Sequence, residues 1–468
     1  MSTPPPGPDL AGGAAGPTAL RPLIATVLDA LSDGAAHRNG PLPAGGPHAV
    51  AAHVRATTQP VLPETGTGAE EALRTLVHTL AQGAADPADP RCAAHLHCPP
   101  LAVAAAADLA ASALNPSMDS WDQAPAASEL ETLVTRALAA EIYPTGDALI
   151  TTGGTESNQL ALLLARERHG TVQLVHGANA HHSLHRAAWL LGLPEPLTVP
   201  TPNGTLDPAT LHETLHTART RDTRRGPHPA TLLVAATAGT TDAGLIDPLP
   251  DIADVCENHH AELHIDASYG GPLLFSDTHR TKLAGLPRAH SVTLDLHKLG
   301  WQPVAAGLLA VPHPTDLRPL GHQADYLNAD DDTEAGLPDL LGRSLRTTRR
   351  PDVLKIAVTL RALGRTGLAA LIDRTCAIAQ ELADLIETHP DLELHQRPTI
   401  STVLFRPTRA DDETVAHIRR TLLTAGHAVL GRAHADHRLW LKATLLNPHA
   451  TTGDLEALLK LLEGSTHR

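Results

Sequence analysis

The chain has 468 residues, with 36 Lys and Arg against 51 Asp and Glu, a formal charge of −15 with histidine neutral. That length can bury a large core and build two or more structural units. The acidic balance argues against nucleic acid or an anionic membrane as the main partner, and there is no apolar run of about 18 residues to span a bilayer. Four cysteines, Cys92, Cys98, Cys256 and Cys376, show neither a CxxC pair nor a disulfide framework. Without the basic and apolar regions of a signal peptide at the start, the cytoplasm with reduced thiols is the expected setting.

Residues 1–18 are rich in Pro, Gly and Ala and are expected to be disordered. Residues 19–85 hold helix-like segments, Leu20–Leu31 and Ala69–Gln82, on either side of a Pro/Gly stretch at 41–47. From about 86 an α/β pattern sets in. Helices are predicted at 101–114 and 128–141, the second with Ser128 as cap and Glu131 three residues on, a capping-box spacing. Strands at 148–152, 171–176 and 231–236 alternate with helices at 156–167, 182–192, 207–221 and 249–260. Two further apolar runs, Glu262–Ala267 and Ser291–Leu296, read as buried strands. The alternation predicts an α/β large domain over 86–348, a mostly parallel sheet covered on both faces. Its last part, 313–348, is polar, with the acidic patch 330–334, and reads as a long loop that is either a lid or a solvated surface. Residues 349–468 predict a smaller α+β domain: helices at 352–364, 368–388, 412–424 and 452–463, and strands at 391–395, 400–406 and 436–444.

The chemistry gathers where predicted strands end. Glu262–Ala267 brings Asp266 to one strand end, and Ser291–Leu296 leads into His297 and Lys298 at another. Ligands of parallel sheets bind at the carboxyl ends of strands. A lysine and a carboxylate so placed suit pyridoxal 5'-phosphate, which needs an amine to hold its aldehyde and an acid to keep its ring nitrogen protonated. The alternative is that Asp266 caps a turn and Lys298 is a surface residue. Lysine is scarce, however, with only Lys282, Lys298, Lys355, Lys442 and Lys460 in the chain. The strand at 148–152 runs into Gly153-Gly154-Thr155 and a helix start, where backbone N–H groups and the helix dipole favour an anion. Zinc is not expected. His95, His97 and Cys98, or His259, His260 and His264, offer ligands without the paired spacings of a structural site.

In order, Thr151–Asn158 (TTGGTESN), Ala180–Ala187 (AHHSLHRA), Ala236–Thr241 (ATAGTT), Asp266–Gly271 (DASYGG) and His297-Lys298 resemble the group II pyridoxal-phosphate decarboxylases. The resemblance runs from about residue 88 to the C-terminal segment 441–448. It implies the aspartate-aminotransferase-like fold, fold type I, with the N-terminal segment 19–85 wrapping the partner of a homodimer and the active site near the interface. It implies that Gly153, Gly154 and Thr155 hold the cofactor phosphate, that His181 stacks on the pyridine ring, that Thr241 lines the pocket and that His297 approaches the phosphate. Lys298, Asp266 and His181 are then the catalytic set, and the activity is amino-acid decarboxylation, with an aminotransferase or oxidative deaminase as the alternative on the same scaffold. A transaminase needs a carboxylate-binding arginine late in the small domain, where Arg438 stands without a recognisable motif.

Residues 95–100 (HLHCPP), 113–127 (ALNPSMDSWDQAPAA), 325–328 (DYLN) and 344–350 (SLRTTRR) are similar to the branch acting on diaminobutyrate and, in siderophore synthesis, lysine. This branch implies a diamino acid substrate, 2,4-diaminobutyrate first and lysine or ornithine next. Asp119 and Asp122 are candidate contacts for its distal ammonium; the alternative is that they cap the turn before the next helix. Two departures stand out. Leu340 occupies the place of the loop tyrosine that aromatic decarboxylases use as proton donor, which leaves Tyr326 as a candidate. Leu299-Gly300-Trp301 departs from the branch's usual run after the lysine and is expected to reshape the pocket.

Overall fold

The computed structural model describes residues 9–222, 230–321, 324, 327 and 329–466. Seven strands form the central sheet: β1 Asp147–Thr151, β2 Val172–Gly177, β3 Leu197–Val199, β4 Thr231–Thr237, β5 Glu262–Ala267, β6 Ser291–Asp295 and β7 Gly307–Val311. Their order is β1-β7-β6-β5-β4-β2-β3. β7 runs antiparallel to both its neighbours, and the other pairings are parallel. β1, β6 and β7 are buried along their whole length. GLLAV therefore reads as a continuous apolar run, whereas SVTLD alternates in sequence yet is buried on both faces. Helices cover both faces, and the layering is that of fold type I, as expected.

The parallel strands send their carboxyl ends to one edge. The register pairs Thr237 of β4 with Asp266 of β5, and Asp266 with Thr293 of β6. This brings the turns after β4, β5 and β6 together with the β1–helix turn, and the site sits there.

A second sheet, β8 Leu392–Leu394, β9 Thr402–Pro407, β10 Gly431–Ala435 and β11 Arg438–Thr444, is antiparallel in the order β10-β11-β9-β8. It packs with helices Asp412–Thr424 and Thr452–Thr466 around its own core, which includes Phe405, Ile418 and Leu441. Residues 91–93 belong with this sheet: Cys92 bridges Val429, and Thr444 N–H donates to Ala93 O.

Several elements differ from the sequence reading. A helix spans Gly16–Arg38, starting inside the stretch expected to be disordered, and another, Gly46–Thr58, follows the Pro/Gly stretch. β3, β7 and β10 were not anticipated. The helix expected from 128 spans Pro125–Ala139, and the capping box does not form. Ser128 Oγ donates to Ala124 O at 2.6 Å, and Glu131 is claimed by Arg349 in a buried two-bond pair at 2.6 and 2.8 Å. The two helices expected around 352–388 are one run, Val353–Thr388, broken at Gly364, which takes a left-handed φ of 62°. Within 313–348 the described residues include the 3-10 turns Pro314–Leu320 and Leu341–Arg343 and a short helix, Asp330–Glu334. No helix among the described residues is long and apolar enough to cross a membrane.

Candidate active site

The strand-end edge holds a cavity of about 240 Å³. Lys298, Asp266, His181, Thr155, Thr241 and His297 line it together with the Gly153-Gly154 turn, as expected from the sequence. Leu96, Ser268, Tyr269 and Asp295 line it as well. A larger surface cleft of about 540 Å³, between Thr171, Gln173 and Glu213, has among its described lining no lysine or histidine and none of the motifs.

Asp266 is the penultimate residue of β5, 5% exposed. Its Oδ1 accepts from Ser268 N–H at 3.0 Å and Ser268 Oγ at 2.6 Å, and its Oδ2 from Asn158 Nδ2 at 2.8 Å. Burial by itself raises the carboxyl pKa; the hydrogen bonds from Ser268 and Asn158 and the charge of Lys298 outweigh it, and the net direction is downward. Asp266 is therefore an anion, with lone-pair capacity left on Oδ2.

Lys298 lies one turn beyond β6. Its Nζ is 2.9 Å from Oδ2 of Asp295, a residue the sequence reading did not single out. The Asp295 side chain is 2% exposed, and its Oδ1 has no hydrogen-bond partner. The available signal was position: Asp295 ends β6 three residues before Lys298, at the same edge as Asp266.

His181 precedes the helix His182–Leu190, and its Nδ1 accepts from the backbone N–H of Ser183. Burial lowers its pKa; Asp266 and Asp295 pull the other way, while His182 and Lys298 add to the lowering. His297 is lowered as well, chiefly by burial, and its Nδ1 accepts from Ala306 N–H at 3.2 Å. Cys98 Sγ donates to His297 O at 3.2 Å, which seats the 95–100 segment against the lysine turn.

The β1 turn comes as close to its neighbours as glycine allows. Gly153 has φ 142°, a conformation disfavoured for other residues. A Cβ on Gly154 would lie 2.1 Å from Ser268 Oγ. Gly153 also caps the helix Gly154–His169, whose N-terminal dipole points an anion-favouring end at the cavity.

These residues fit pyridoxal phosphate. The cavity offers one amine for its aldehyde, one buried anion for its ring nitrogen, one helix N-terminus for its phosphate and an imidazole for its ring face. The orphaned Asp295 Oδ1 marks a polar position in this wall that the protein itself leaves unpaired.

Other expected residues fall elsewhere. Asp119 and Asp122 do not line this cavity: Asp119 Oδ1 accepts from Gln123 Nε2 at 2.8 Å, and Asp122 Oδ1 from Ser120 Oγ at 2.5 Å. Leu299, Gly300 and Trp301 do not line it either. Leu299 and Trp301 are buried in the core, and Trp301 Nε1 donates to Leu446 O at 2.8 Å. Leu340 is buried away from the cavity lining. Tyr326 lies outside the described residues.

Fold and site together define a pyridoxal-phosphate enzyme of fold type I with a decarboxylase's motif set. The chain belongs to the pyridoxal-dependent decarboxylase family, whose conserved domain matches residues 52–408. It is a pyridoxal-phosphate-dependent amino-acid decarboxylase. It is 41% identical to an L-2,4-diaminobutyrate decarboxylase of Rhizobium meliloti (strain 1021), over 87% of this chain and 84% of that one. A protein of the same name from Acinetobacter baumannii is 32% identical over 84% and 83%. Among solved structures, the glutamate decarboxylase domain of diaminobutyrate-pyruvate transaminase and L-2,4-diaminobutyrate decarboxylase from Vibrio parahaemolyticus superposes with a TM-score of 0.86 at 32% identity, covering 97% of each chain.

Proposed function

We propose that this enzyme decarboxylates an L-diamino acid, 2,4-diaminobutyrate first and lysine or ornithine next, giving the diamine and carbon dioxide. The observation that carries the reading is the convergence of Lys298, Asp266 and His181 on one cavity in a chain 41% identical to a diaminobutyrate decarboxylase.

Bound pyridoxal phosphate supplies the electron sink for the pair left behind by the departing carboxylate. Lys298 Nζ would be the amine that holds the cofactor aldehyde, with Asp295 Oδ2 as its partner 2.9 Å away. The Asp266 anion would hold a proton on the ring nitrogen, its other positions being filled by Ser268 and Asn158. The Gly153-Gly154-Thr155 turn and the helix it opens hold the phosphate through backbone N–H groups and the dipole. His181, in the cavity lining, would face the ring and help to orient the scissile carboxylate. Leu340 has no proton to give, and Tyr326 is one candidate donor to the substrate carbon.

Asp119 and Asp122 are proposed to meet the distal ammonium from a neighbouring subunit rather than within one chain. Beside them Leu114 is 74% exposed and Trp121 39%, apolar surface that a homodimer would cover. The cytoplasm is the proposed compartment, in keeping with four free thiols. Transamination is less well supported: Arg438, the arginine it would need, is held by Glu393 and lies 5.2 Å over the Trp440 ring in the small sheet.

A panel of amino acids with detection of amine and carbon dioxide tests the proposal. Diamine from 2,4-diaminobutyrate, lysine or ornithine is the expected result. Keto acid or aldehyde products would favour the alternative reaction, and a preference for acidic or aromatic substrates would remove the diamino-acid assignment.

A further inference from the structure

Beneath the cavity, Asn158 is fully buried and makes every hydrogen bond its amide allows. Nδ2 donates to Asp266 Oδ2 at 2.8 Å and to Ser183 Oγ at 2.9 Å. Oδ1 accepts from Thr293 Oγ1 at 3.1 Å and lies 2.9 Å from His264 Nε2. Asn158 sits on the Gly154–His169 helix, Ser183 on the His182–Leu190 helix, Asp266 and His264 on β5 and Thr293 on β6. Four side chains from three other elements therefore close on one amide.

The donor directions follow from one fixed point. Ionised Asp266 accepts only, so the Asn158 nitrogen must face it. Its second N–H then goes to Ser183 Oγ, and the Ser183 hydroxyl proton is left for His181 Nδ1, 2.7 Å away. The backbone N–H of Ser183 points to the same Nδ1 at 3.3 Å. With two donors aimed at it, Nδ1 has no room for a proton. On the other side of the amide, Asn158 Oδ1 must receive from His264, so His264 carries its proton on Nε2, and its Nδ1 accepts from Ser291 Oγ at 2.8 Å.

We infer that Asn158 and Ser183 are positioning residues that fix His181 as the tautomer with its proton on Nε2, a direction set by the Asp266 carboxylate through one relay of hydrogen bonds. The group that holds the ring nitrogen's proton thereby also sets which nitrogen of the ring-facing imidazole donates. A second proton on His181 would have to enter at Nδ1 and reverse the Ser183 hydroxyl against Asn158. Asp266 and Asp295 favour that second proton, while His182, Lys298 and burial oppose it. The relay adds to the opposition. The catalytic consequence rests on the decarboxylase reading, but the tautomer itself does not.

The test reads His181 directly, in full-length protein loaded with pyridoxal phosphate and labelled with 15N-histidine, without substrate. The His181 signals are those lost in His181→Gln. The expected result is an unprotonated Nδ1 and a protonated Nε2 at neutral pH. In Ser183→Ala the midpoint for the second proton should rise by about half a pH unit or more, as a donor to the neutral form is lost. Asn158→Ala should shift it the same way. Thr293→Val cuts a different bond to the same amide and should leave the His181 titration in place. A proton on Nδ1 in the wild type, or one common titration in the Ser183→Ala and Thr293→Val proteins, would overturn the relay. Because no substrate is present, a wrong substrate assignment leaves this result untouched.

Discussion

Asp266 and Asp119 are almost equally buried, 5% and 8% exposed, and each accepts a 2.8 Å hydrogen bond from a side-chain amide. They differ in where the partner comes from. The amide on Asp266 is 108 residues away in sequence, on another element; that on Asp119 is four residues away in the same turn. Assembling distant groups around one carboxylate costs chain entropy, and here it leaves an anion facing a cavity. The bonds at Asp119 come with the turn and orient nothing in the cavity of its own chain. Asp266 is thus fixed by long-range assembly at the cavity, Asp119 by its own turn away from it.

The sharpest break of this contrast is at the cavity. Lys298→Ala should abolish turnover, a loss of at least about a thousandfold, while leaving the fold intact, since the lysine follows a strand end and does not fill the core. Borohydride reduction and peptide mapping of the wild type check it: the label belongs on Lys298, and label on any of the other four lysines would sink the assignment. Asp266→Asn keeps the shape and the Asn158 neighbour but removes the charge. We expect kcat to fall by about a hundredfold or more with cofactor binding weakened less, because the carboxylate matters most when charge develops. Near-normal turnover in the asparagine protein would refute that role.

The proposed catalytic set was legible because its members lie at or near strand ends inside ordered motifs. Lys298, Asp266, His181 and the Gly153-Gly154-Thr155 turn all reach the cavity. What stayed hidden was what they lean on. Asn158 and Ser183 were inside quoted motifs, yet nothing local shows that one amide serves β5, β6 and two helices. Asp295 was passed over because a carboxylate in an apolar run reads as a strand end until Lys298 Nζ is found 2.9 Å away. The Ser128/Glu131 spacing misled for the same reason: Arg349, 218 residues on from Glu131, takes the glutamate that would have closed the cap. β7 (GLLAV) and β10 (GRAHA) carry only weak strand patterns of their own. The first is a short apolar run and the second is half polar, and each is strand through its pairing with neighbours.

The buried network predicts an acid-side weakness. Burial pushes the His264 imidazole from its usual 6.5 down to about 4. Above pH 6.5 the folded and unfolded chains are both neutral there, and the group adds no pH dependence. As pH falls from 6.5 towards 4, the unfolded chain takes up a proton that the folded one refuses, and stability is lost. The loss levels off below pH 4 at about 3 kcal/mol. His264→Gln removes that proton, and at neutral pH it costs the protein the two histidine hydrogen bonds. The stability gap between wild type and His264→Gln, from urea midpoints, should therefore narrow by about 3 kcal/mol between pH 7 and pH 4. A gap independent of pH would mean that His264 is not held neutral in the fold, while the direction of the Asn158 amide, fixed by Asp266, would stand.

The smallest expected effect tests the other side of the contrast. Asp122 is exposed and held only through Ser120, so Asp122→Asn should leave the turn intact: an asparagine oxygen still accepts from Ser120 Oγ. The same holds for Asp119→Asn and Gln123 Nε2. If either carboxylate meets the distal ammonium of a diamino acid, the neutral variant loses one charged hydrogen bond, and kcat/KM for that substrate should fall about tenfold or somewhat more. Slow turnover of an amino acid with an uncharged side chain should change far less. Measuring both substrates on both variants separates specificity from structure. Equal losses on both substrates would make the two carboxylates part of the turn alone. A tenfold loss confined to the diamino acid, with the cofactor band unchanged, would mean that this locally bonded turn acts across a subunit boundary, since neither residue reaches the cavity of its own chain.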